Sequence, residues 1–552
     1  MADSIIDIPI TTPELSLAKF TGRKVFYTST ENITKENVIA IVKHFYEQHI
    51  EEAYTMNFLY EFDKGNQPIL NKKRSDPTKE NNIAVINLAR IIRKLIQSAF
   101  LGEQLQYISK SKEQAQIEAL ATLKKLYDEE DESEHNLALE NDLGIVGVAY
   151  EYVERSTDGS PLCFTTLSPL CTRVVYLNGI EKKPAFAFTY YKVKDDKQND
   201  KGLHFYVYTP TKTFEFEVNV NGFLLNELLN EQNKGIKEKP NPTGKLPINE
   251  YINNAERMGD FEPAISIFNA INRIYSRRLD NVDDIVDSFL VFVNNNIFEP
   301  TYDENGDVTG YDSSRLKAFK ENKAIEIKGE QGMPADLKYL VNTLDQQQIQ
   351  TLVDSLISLA FAVLGAPNAV NSKTQGGGDT GEAVNSREGW RAFEDLLKTK
   401  ERYFRKSLKQ RFKYIKELYK FDNLKSLDAS QIDIKFIRTK SLNTQSNAQA
   451  LSAINSLGKL PPEQIISLSN LVEDPAAEMG KMITKIDEFV NDGTLTKEQG
   501  NIIKVLYHFP NIEPNSVFGI NNKQGELNDG NGNKVSRVQQ TTSKKDGADN
   551  KD

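Results

Sequence analysis

The residue types that most often carry chemistry are present in this chain, but their spacing works against most reactions. His44 and His49 are the closest pair of histidines. They stand five apart, whereas two metal ligands on one helical face need a separation of four. The run Gly376-Gly377-Gly378-Asp379 lacks the Gly-Lys-Ser/Thr that completes a phosphate loop. DENGD at 303–307 has the carboxylates of a calcium loop. Val308, however, stands where such a loop needs glycine, and no glutamate closes it; DGNGNK at 529–534 fails in the same way. Both read as turns. The paired carboxylates of VDDIVD at 282–287 read as a solvated helix face, and no Gly-x-Ser-x-Gly occurs. Cys163 and Cys171 fit no zinc pattern and read as two half-buried thiols in a reducing compartment. The expectation is a protein without catalytic residues, metal or cofactor.

Composition agrees with a structural role. The chain has 552 residues, 39% hydrophobic and 26% charged, enough for several packed units. A net charge of −10 argues against broad gripping of nucleic acid, which needs lysine and arginine in excess, but not against DNA sliding past. The N-terminus lacks the basic start and apolar run of a secretory signal. The most apolar window, Leu352 to Leu364, is shorter than the ~20 residues that span a bilayer.

The elements that would have to position any site follow from periodicity. Helices are expected from Lys35, from Ile83 to Ile96, and from Lys112 to Tyr127, with the acidic run DEEDESE at 128–134 as a solvated loop or frayed end. From Gly144 the period shortens to two. GIVGVAYEYVE, CTRVVYL, AFAFTYYKVK, HFYVYT and FEFEVNV read as an antiparallel sheet with one face on helices. A long helix from Phe261 to Val293, roughly 50 Å, then meets a small α/β insert, and a second helix runs from Leu344 to Leu364. GAPNAVNSKTQGGGDT is a flexible loop by composition, followed by a helix from Gly381 to Phe421 that is basic between Lys398 and Lys420. The strand QIDIKFIRT and helices across 446–507 precede a polar tail expected to be disordered. The fold class is α+β, mainly helical.

Two stretches carry a family resemblance. The first joins Gly65, Lys72-Lys73-Arg74, Asn81-Asn82, the apolar run Ile83 to Phe100, and Gly102. The second is residues 244–292, with Gly244, Pro247, Asn253, Asn254, Gly259-Asp260-Phe261-Glu262, Ser276 and Asp280. Both, with the order of elements over about 35–510, resemble the portal proteins of tailed phages, in particular long-tailed phages of Gram-positive hosts. The polar tail beyond Asn515 has no counterpart in that pattern.

The resemblance implies a portal fold with wing, stem, clip and crown that assembles into a ring with a central channel. The expected division is 1–34, an N-terminal segment; 35–253, wing; 254–293, first stem helix; 294–343, clip; 344–364, second stem helix; 365–380, tunnel loop; 381–444, long helix and returning strand; 445–515, crown; 516–552, tail. It implies a dodecameric ring at one capsid vertex, a conduit for double-stranded DNA in packaging and ejection. The implied partners are the terminase large subunit, a head-completion or adaptor protein, and the major capsid and scaffolding proteins. It implies no membrane partner and a location in the virion, after assembly in the host bacterial cytoplasm. Candidate DNA-channel residues are Asn371, Lys373, Thr374, Gln375, Gly376, Gly377 and Gly378, with Lys373 the loop's one basic residue. Asp280, Asp284, Asp287 and Asp354 are expected to contribute acidic stem surface, facing either the lumen or the outside and a neighbour. Phe298, Tyr302, Lys317 and Lys323 are candidates for binding partners at the clip. Arg402, Arg405, Lys406, Lys409, Arg411 and Lys413 are expected to pair with a neighbour's carboxylates rather than with DNA. The competing readings are a DNA-processing ATPase or nuclease and a helical adaptor that forms no ring.

Overall fold

The computed structural model describes residues 20–111, 113–155, 162–194, 200–219, 235–286, 289–293, 299–312, 314, 336–340, 346–368, 389–419, 424–437, 452, 475–506, 527–528 and 534–535. Two compact units divide at residue 438.

In the first unit β1 is Phe26–Thr28, followed by α1 (Val38–Lys64), α2 (Leu88–Leu101), β2 (Gln106–Ser109), α3 (Gln114–Glu129) and α4 (Glu132–Val146). Then come β3 (Val148–Glu154), β4 (Cys163–Leu167), β5 (Thr172–Leu177), β6 (Pro184–Lys194), β7 (Asp200–Tyr208), β8 (Lys212–Asn219), β9 (Lys237–Pro240) and β10 (Ile248–Ile252). A 3-10 turn at Glu262–Ala264 opens α5 (Ile265–Val286), and β11 (Phe289–Val293), β12 (Glu299–Tyr302), β13 (Val308–Asp312) and β14 (Asp336–Leu340) follow. α6 (Gln346–Val363), α7 (Trp390–Leu418) and β15 (Ile432–Lys435) complete it.

The expected sheet is two sheets. One runs β1-β5-β6-β7-β8-β9, the other β10-β3-β4. β1 pairs in parallel with β5, so residues 26–28 of the N-terminal segment supply an edge strand of the six-stranded sheet. The six-stranded sheet has the alternating pattern of a half-buried sheet. Phe186, Phe188, Phe205, Phe214 and Phe216 pack with Val38, Val42 and Phe45 of α1. α1 stops at Gly65, whose φ of 107° no branched side chain adopts cheaply; its N–H returns to the carbonyls of Glu61 and Phe62.

A larger core gathers α2, α3, α4, the inner strands and the helices α5 to α7. A run of phenylalanines joins α1 to the start of α5: Phe58 to Phe62 at 5.8 Å, Phe62 to Phe261 at 6.0 Å, and Phe62 to Phe268 at 6.4 Å. Each such buried ring contributes about 1.5–3 kcal/mol.

Several expectations are corrected. Ile83 and Ile86 lie in an extended segment before α2, which begins at Leu88 capped by Asn87. The acidic run at 128–134 is no solvated loop, because it starts α4, and Glu132 is 2% exposed. The helix from Phe261 ends at Val286, and Phe289–Val293 is a strand paired antiparallel with β14. FLVFV is all aromatic, β-branched or leucine, which suits a pleated surface better than a helix. β15 pairs antiparallel with β2, which brings the chain back beside α3.

In the second unit, α8 (Pro475–Asn491) and α9 (Lys497–Leu506) lie within the expected crown. Thr496 and Gln499 form a capping box: the Thr496 N–H donates to Gln499 Oε1 (2.9 Å) and the Gln499 N–H to Thr496 Oγ1 (3.2 Å). In the tail expected to be disordered, β16 (Leu527–Asn528) pairs antiparallel with β17 (Lys534–Val535).

Candidate functional site

The helices α5 and α6 and the chain clamped to them form the best-built candidate site. α5 and α6 are joined by Arg278, which donates from Nε to Gln346 Oε1 (2.6 Å) and from Nη1 to Gln350 Oε1 (2.8 Å). Gln350 also donates to Asp354 Oδ1 (2.9 Å), so this carboxylate lies half-buried against its own helix. Apolar side chains remain uncovered in the protomer. Leu279 and Val282 on α5 and Leu352, Leu359 and Val363 on α6 are each about half exposed. Leu352, Leu359 and Val363 fall at i, i+7 and i+11, one stripe of a helix.

Along the other face of α5 lies the extended segment 82–86. Asn272, Ser276 and Asp280 succeed one another every four residues. Asn272 Oδ1 accepts the N–H of Ile86 (2.8 Å), Ser276 Oγ that of Ala84 (2.9 Å), and Asp280 Oδ1 that of Asn82 (3.0 Å). The geometry explains the register. Four helical residues rise about 6 Å and two extended residues about 6.6 Å, so alternate amides of one meet every fourth side chain of the other. The segment runs antiparallel to the helix. Gln67 accepts from Asn272 Nδ2 and donates to Asn87 Oδ1, which ties the clamp to the α1–α2 corner.

Asp280 therefore does not contribute the acidic surface expected of it. It is 7% exposed, with Lys72 Nζ at 2.5 Å and Arg74 at 3.9 Å. Burial alone would raise its carboxyl. The Lys72 hydrogen bond, the Asn82 amide and the two cations outweigh this and hold it below the usual carboxylate range. Asp284 lies in α5, but its side chain, like all of Asp287, falls outside the described residues. The exposed charges of α5 among the described residues are Arg273, Arg277 and Asp283.

The loop 253–262 that leads into α5 is fixed by the Asn, Gly-Asp-Phe-Glu residues of the second motif. Asn253 Nδ2 donates to the Met258 carbonyl (2.9 Å) and to Asp260 Oδ1 (2.8 Å). Glu262 accepts the Gly259 N–H (3.0 Å) and pairs with Arg23 (2.6 Å). Asp260 in turn pairs with Lys400 of α7 at 2.9 Å.

Lys400 also meets Glu140 at 2.5 Å. Beside them Arg93 holds Asp63 (2.7 and 3.1 Å) and Asn141 (3.0 Å), and Tyr60 donates to Asp142 (2.7 Å). Two cations, Arg93 and Lys400, thus face four carboxylates, Asp63, Glu140, Asp142 and Asp260. Burial pushes Glu140 up to about 7, against the pull of Lys400 and with the repulsion of Asp260, and pushes Asp142 up to about 7 against its Tyr60 hydrogen bond. A carboxyl raised in this way keeps its proton in the fold after the unfolded chain has lost it. Its contribution is complete below about pH 4 and is lost as pH rises through about 7. The urea midpoint should therefore fall between pH 5 and 7.5, and a Glu140→Gln/Asp142→Asn variant should fall less. Parallel curves for the two proteins would show that these carboxyls do not titrate in that window.

Deeper, Arg411 of α7 is wholly buried. It donates to both oxygens of Glu151 (2.7–3.1 Å), to Glu132 Oε1 (2.7 Å) and to Asn136 Oδ1 (2.9 Å). Burial would raise Glu151; Arg411 and then His135 bring it down to about 2. Tyr251 and Asn249 donate to the same carboxylate. The expected pairing of Arg411 with a neighbouring subunit is thus corrected: its partners lie in its own chain, more than 250 residues away. Arg405 likewise donates to the Ile434 carbonyl (3.0 Å) and lies over the Phe436 ring.

Of the remaining sequence candidates, Tyr302 is exposed on β12. Phe298, Lys317 and Lys323 fall outside the described residues, as do Asn371, Lys373, Thr374, Gln375, Gly376, Gly377 and Gly378. Among the described residues no group of three or more His, Cys, Asp or Glu could hold a metal ion, and no helix is long and apolar enough to cross a membrane. Sequence reasoning named Ser276 and Asp280 but missed Asn272, the first member of the same i, i+4, i+8 series.

The sequence model of the family described as "Phage portal protein, SPP1 Gp6-like" matches residues 42–490. No curated protein compared with the chain matches it. Among solved structures, a chain from the "Neck of empty GTA particle computed with C6 symmetry" is similar at 14% identity, with a TM-score of 0.39, over 69% of this chain and 89% of that one.

Proposed function

Since this chain belongs to the phage portal protein family, SPP1 Gp6-like, we propose that it forms the dodecameric ring at the unique capsid vertex. In this reading double-stranded DNA passes through the ring in packaging and ejection. The terminase large subunit, then a head-completion or adaptor protein, docks on the clip insert. The ring is built in the host bacterial cytoplasm, with capsid and scaffolding proteins, and remains in the virion. It supplies position and surface rather than catalysis.

The observation that carries the reading is the family match across residues 42–490, which runs from within α1 through α5, α6 and α7 into α8. The uncovered stripe of Leu352, Leu359 and Val363 supports it, because a ring gives each stem helix a neighbour to bury that surface. Negative-stain electron microscopy of the purified full-length chain tests it. Closed rings of about a dozen subunits around a hole wide enough for duplex DNA are expected. Open fibres or compact dimers would overturn the ring in favour of a helical adaptor.

The acidic-stem idea narrows under this reading, since Asp280 is neutralised by Lys72 and Arg74. The tunnel loop remains the proposed DNA contact. A Gly-rich loop adjusts to a passing helix whose register it does not match, and Lys373 supplies its positive charge. Lys373→Asp should reduce packaged DNA several-fold while rings form normally. An unchanged DNA yield per capsid would remove Lys373 as a guide.

A further inference from the structure

The sequence offers six cations of α7 to a neighbour, and the structure sorts them by face. Arg411 and Arg405 turn inward, to Glu132, Glu151 and the Ile434 carbonyl. The other four, Arg402, Lys406, Lys409 and Lys413, continue to Lys416 in a single row. At 100° per residue all five fall within an arc of about 80° centred opposite Arg411, and the row is about 21 Å long. Arg402, Lys406 and Lys413 are exposed; Lys409 and Lys416 are half-buried. Of the carboxylates near the row, Glu417 is held by Lys245 (3.1 Å). Asp428 is bound by Ser430 and also feels the charge of Lys416 and Lys413.

The opposite sign collects at the corner between α3 and α4. Residues 128–134 carry six carboxylates in seven positions and no lysine or arginine. Glu132 is taken by Arg411, but Asp128, Glu129, Asp131 and Glu134 are exposed. They crowd one another. Burial, then the charges of Glu129 and Asp131, raise the Glu130 carboxyl. Such a corner gains from a cationic surface laid against it. Within one protomer the row and the corner lie on opposite sides of α7: the residue that reaches the corner is Arg411, which points away from the row. Opposite faces of opposite sign are what a head-to-tail contact between identical copies requires. Duplex DNA suits the row less well, because a chain of net charge −10 repels it.

We propose that the α7 row of one copy docks on the acidic α3–α4 corner of the next. A single exposed ion pair contributes little, so the contact depends on the several pairs acting together. The inference rests on the portal reading, in which every subunit shows its two neighbours different faces, and it names residues through which those faces meet.

The test uses the full-length chain at several salt concentrations, with rings read by electron microscopy and association by sedimentation. Two charge-reversed variants are compared, Lys406→Glu/Lys409→Glu/Lys413→Glu and Asp128→Lys/Glu129→Lys/Glu134→Lys. Each should raise the concentration needed for assembly about tenfold or more, and the wild type should assemble less readily as salt rises. Circular dichroism matching the wild type confirms that each variant folds. A chain carrying all six changes should regain most of the loss, which a merely weakened protein does not. In wild-type assemblies, carbodiimide coupling should join lysines of the row to residues 128–134 of another copy. Normal assembly by either variant overturns the proposal; if the row variant at the same time loses duplex DNA, the row belongs to phosphate. Failure of the six-change chain to recover, or coupling of the row only to other segments, overturns it as well. If the wild-type chain associates without closing rings and shows the same loss and rescue, the portal reading fails while the contact stands. If it does not associate at all, both fail.

Discussion

Arg411→Met is expected to lower the stability of the first unit by about 3–5 kcal/mol, because it leaves the buried carboxylates of Glu132 and Glu151 without the guanidinium that neutralises them. The arginine supplies four of the donors that these carboxylates and Asn136 use, and its removal replaces none of them. Arg411→Lys should recover only part of the loss, since a point charge cannot serve both oxygens of Glu151 and also Glu132. The informative comparison is the triple variant Arg411→Met/Glu132→Gln/Glu151→Gln. Removing the charges together should cost less than removing the arginine alone. Urea unfolding followed by Trp390, the single tryptophan, measures all three. A triple variant less stable than Arg411→Met would mean that the ion pairs themselves, rather than the stranding of charge, set the energy.

Gly147→Ala should be at least as damaging, with a loss above about 4 kcal/mol or no soluble protein. Gly147 has φ of 82°, where a side chain is strained, and an added Cβ would overlap the backbone carbonyl of Arg257 and the carbonyl carbon of Met258. Neither backbone atom can move alone. The Gly147 carbonyl accepts the Asn253 N–H (3.0 Å), and the Asp260 N–H donates to Gly144 (2.7 Å), so the loop into α5 is laid directly on the α4–β3 junction. Gly259 meets Ile145 in the same way from the opposite side. Gly179→Ala, at a site with nothing within 4 Å, is the control and should change stability by less than about 0.5 kcal/mol. A soluble Gly147→Ala protein of near wild-type stability would show that the loop yields.

These two sites show how much of the fold the sequence makes legible. Local signals read well: the period change that opens β3, the strand within QIDIKF and the helix α6 appear close to where the pattern places them. Gly259 of the second motif was visible as a residue, but its reason, two backbones in contact, is a tertiary fact. α4 was hidden for a related cause. Its acidic start resembles a solvated loop, its first residue follows Asp131 in a left-handed conformation, and no side chain caps it. What orders it is Arg411, 279 residues away from Glu132. Asp280 misled in the same sense. An aspartate on a long helix looks like surface until the Lys72–Arg74 segment is laid across it. The mid-helix Ser and Asp were evident in the motif, whereas their function, receiving alternate amides of another segment, depends on a pairing between helix and extended chain that no single-segment periodicity reveals.

That pairing works like a vernier. Each step of the extended segment exceeds each step of the helix by about 0.6 Å, so the error over the two intervals between Asn272 and Asp280 is about 1.2 Å. A fourth tooth would be nearly 2 Å out of register, too far for a hydrogen bond. The clamp is therefore self-limiting in length. It also constrains how the sequence can change length. A one-residue insertion in 82–86 would turn the wrong amides toward the helix, and one in 272–280 would rotate the next tooth by about 100°. Insertions and deletions should be excluded from both stretches, while the segment 75–80 between residues 82–86 and Lys72–Arg74, which crosses no tooth, remains free to vary in length.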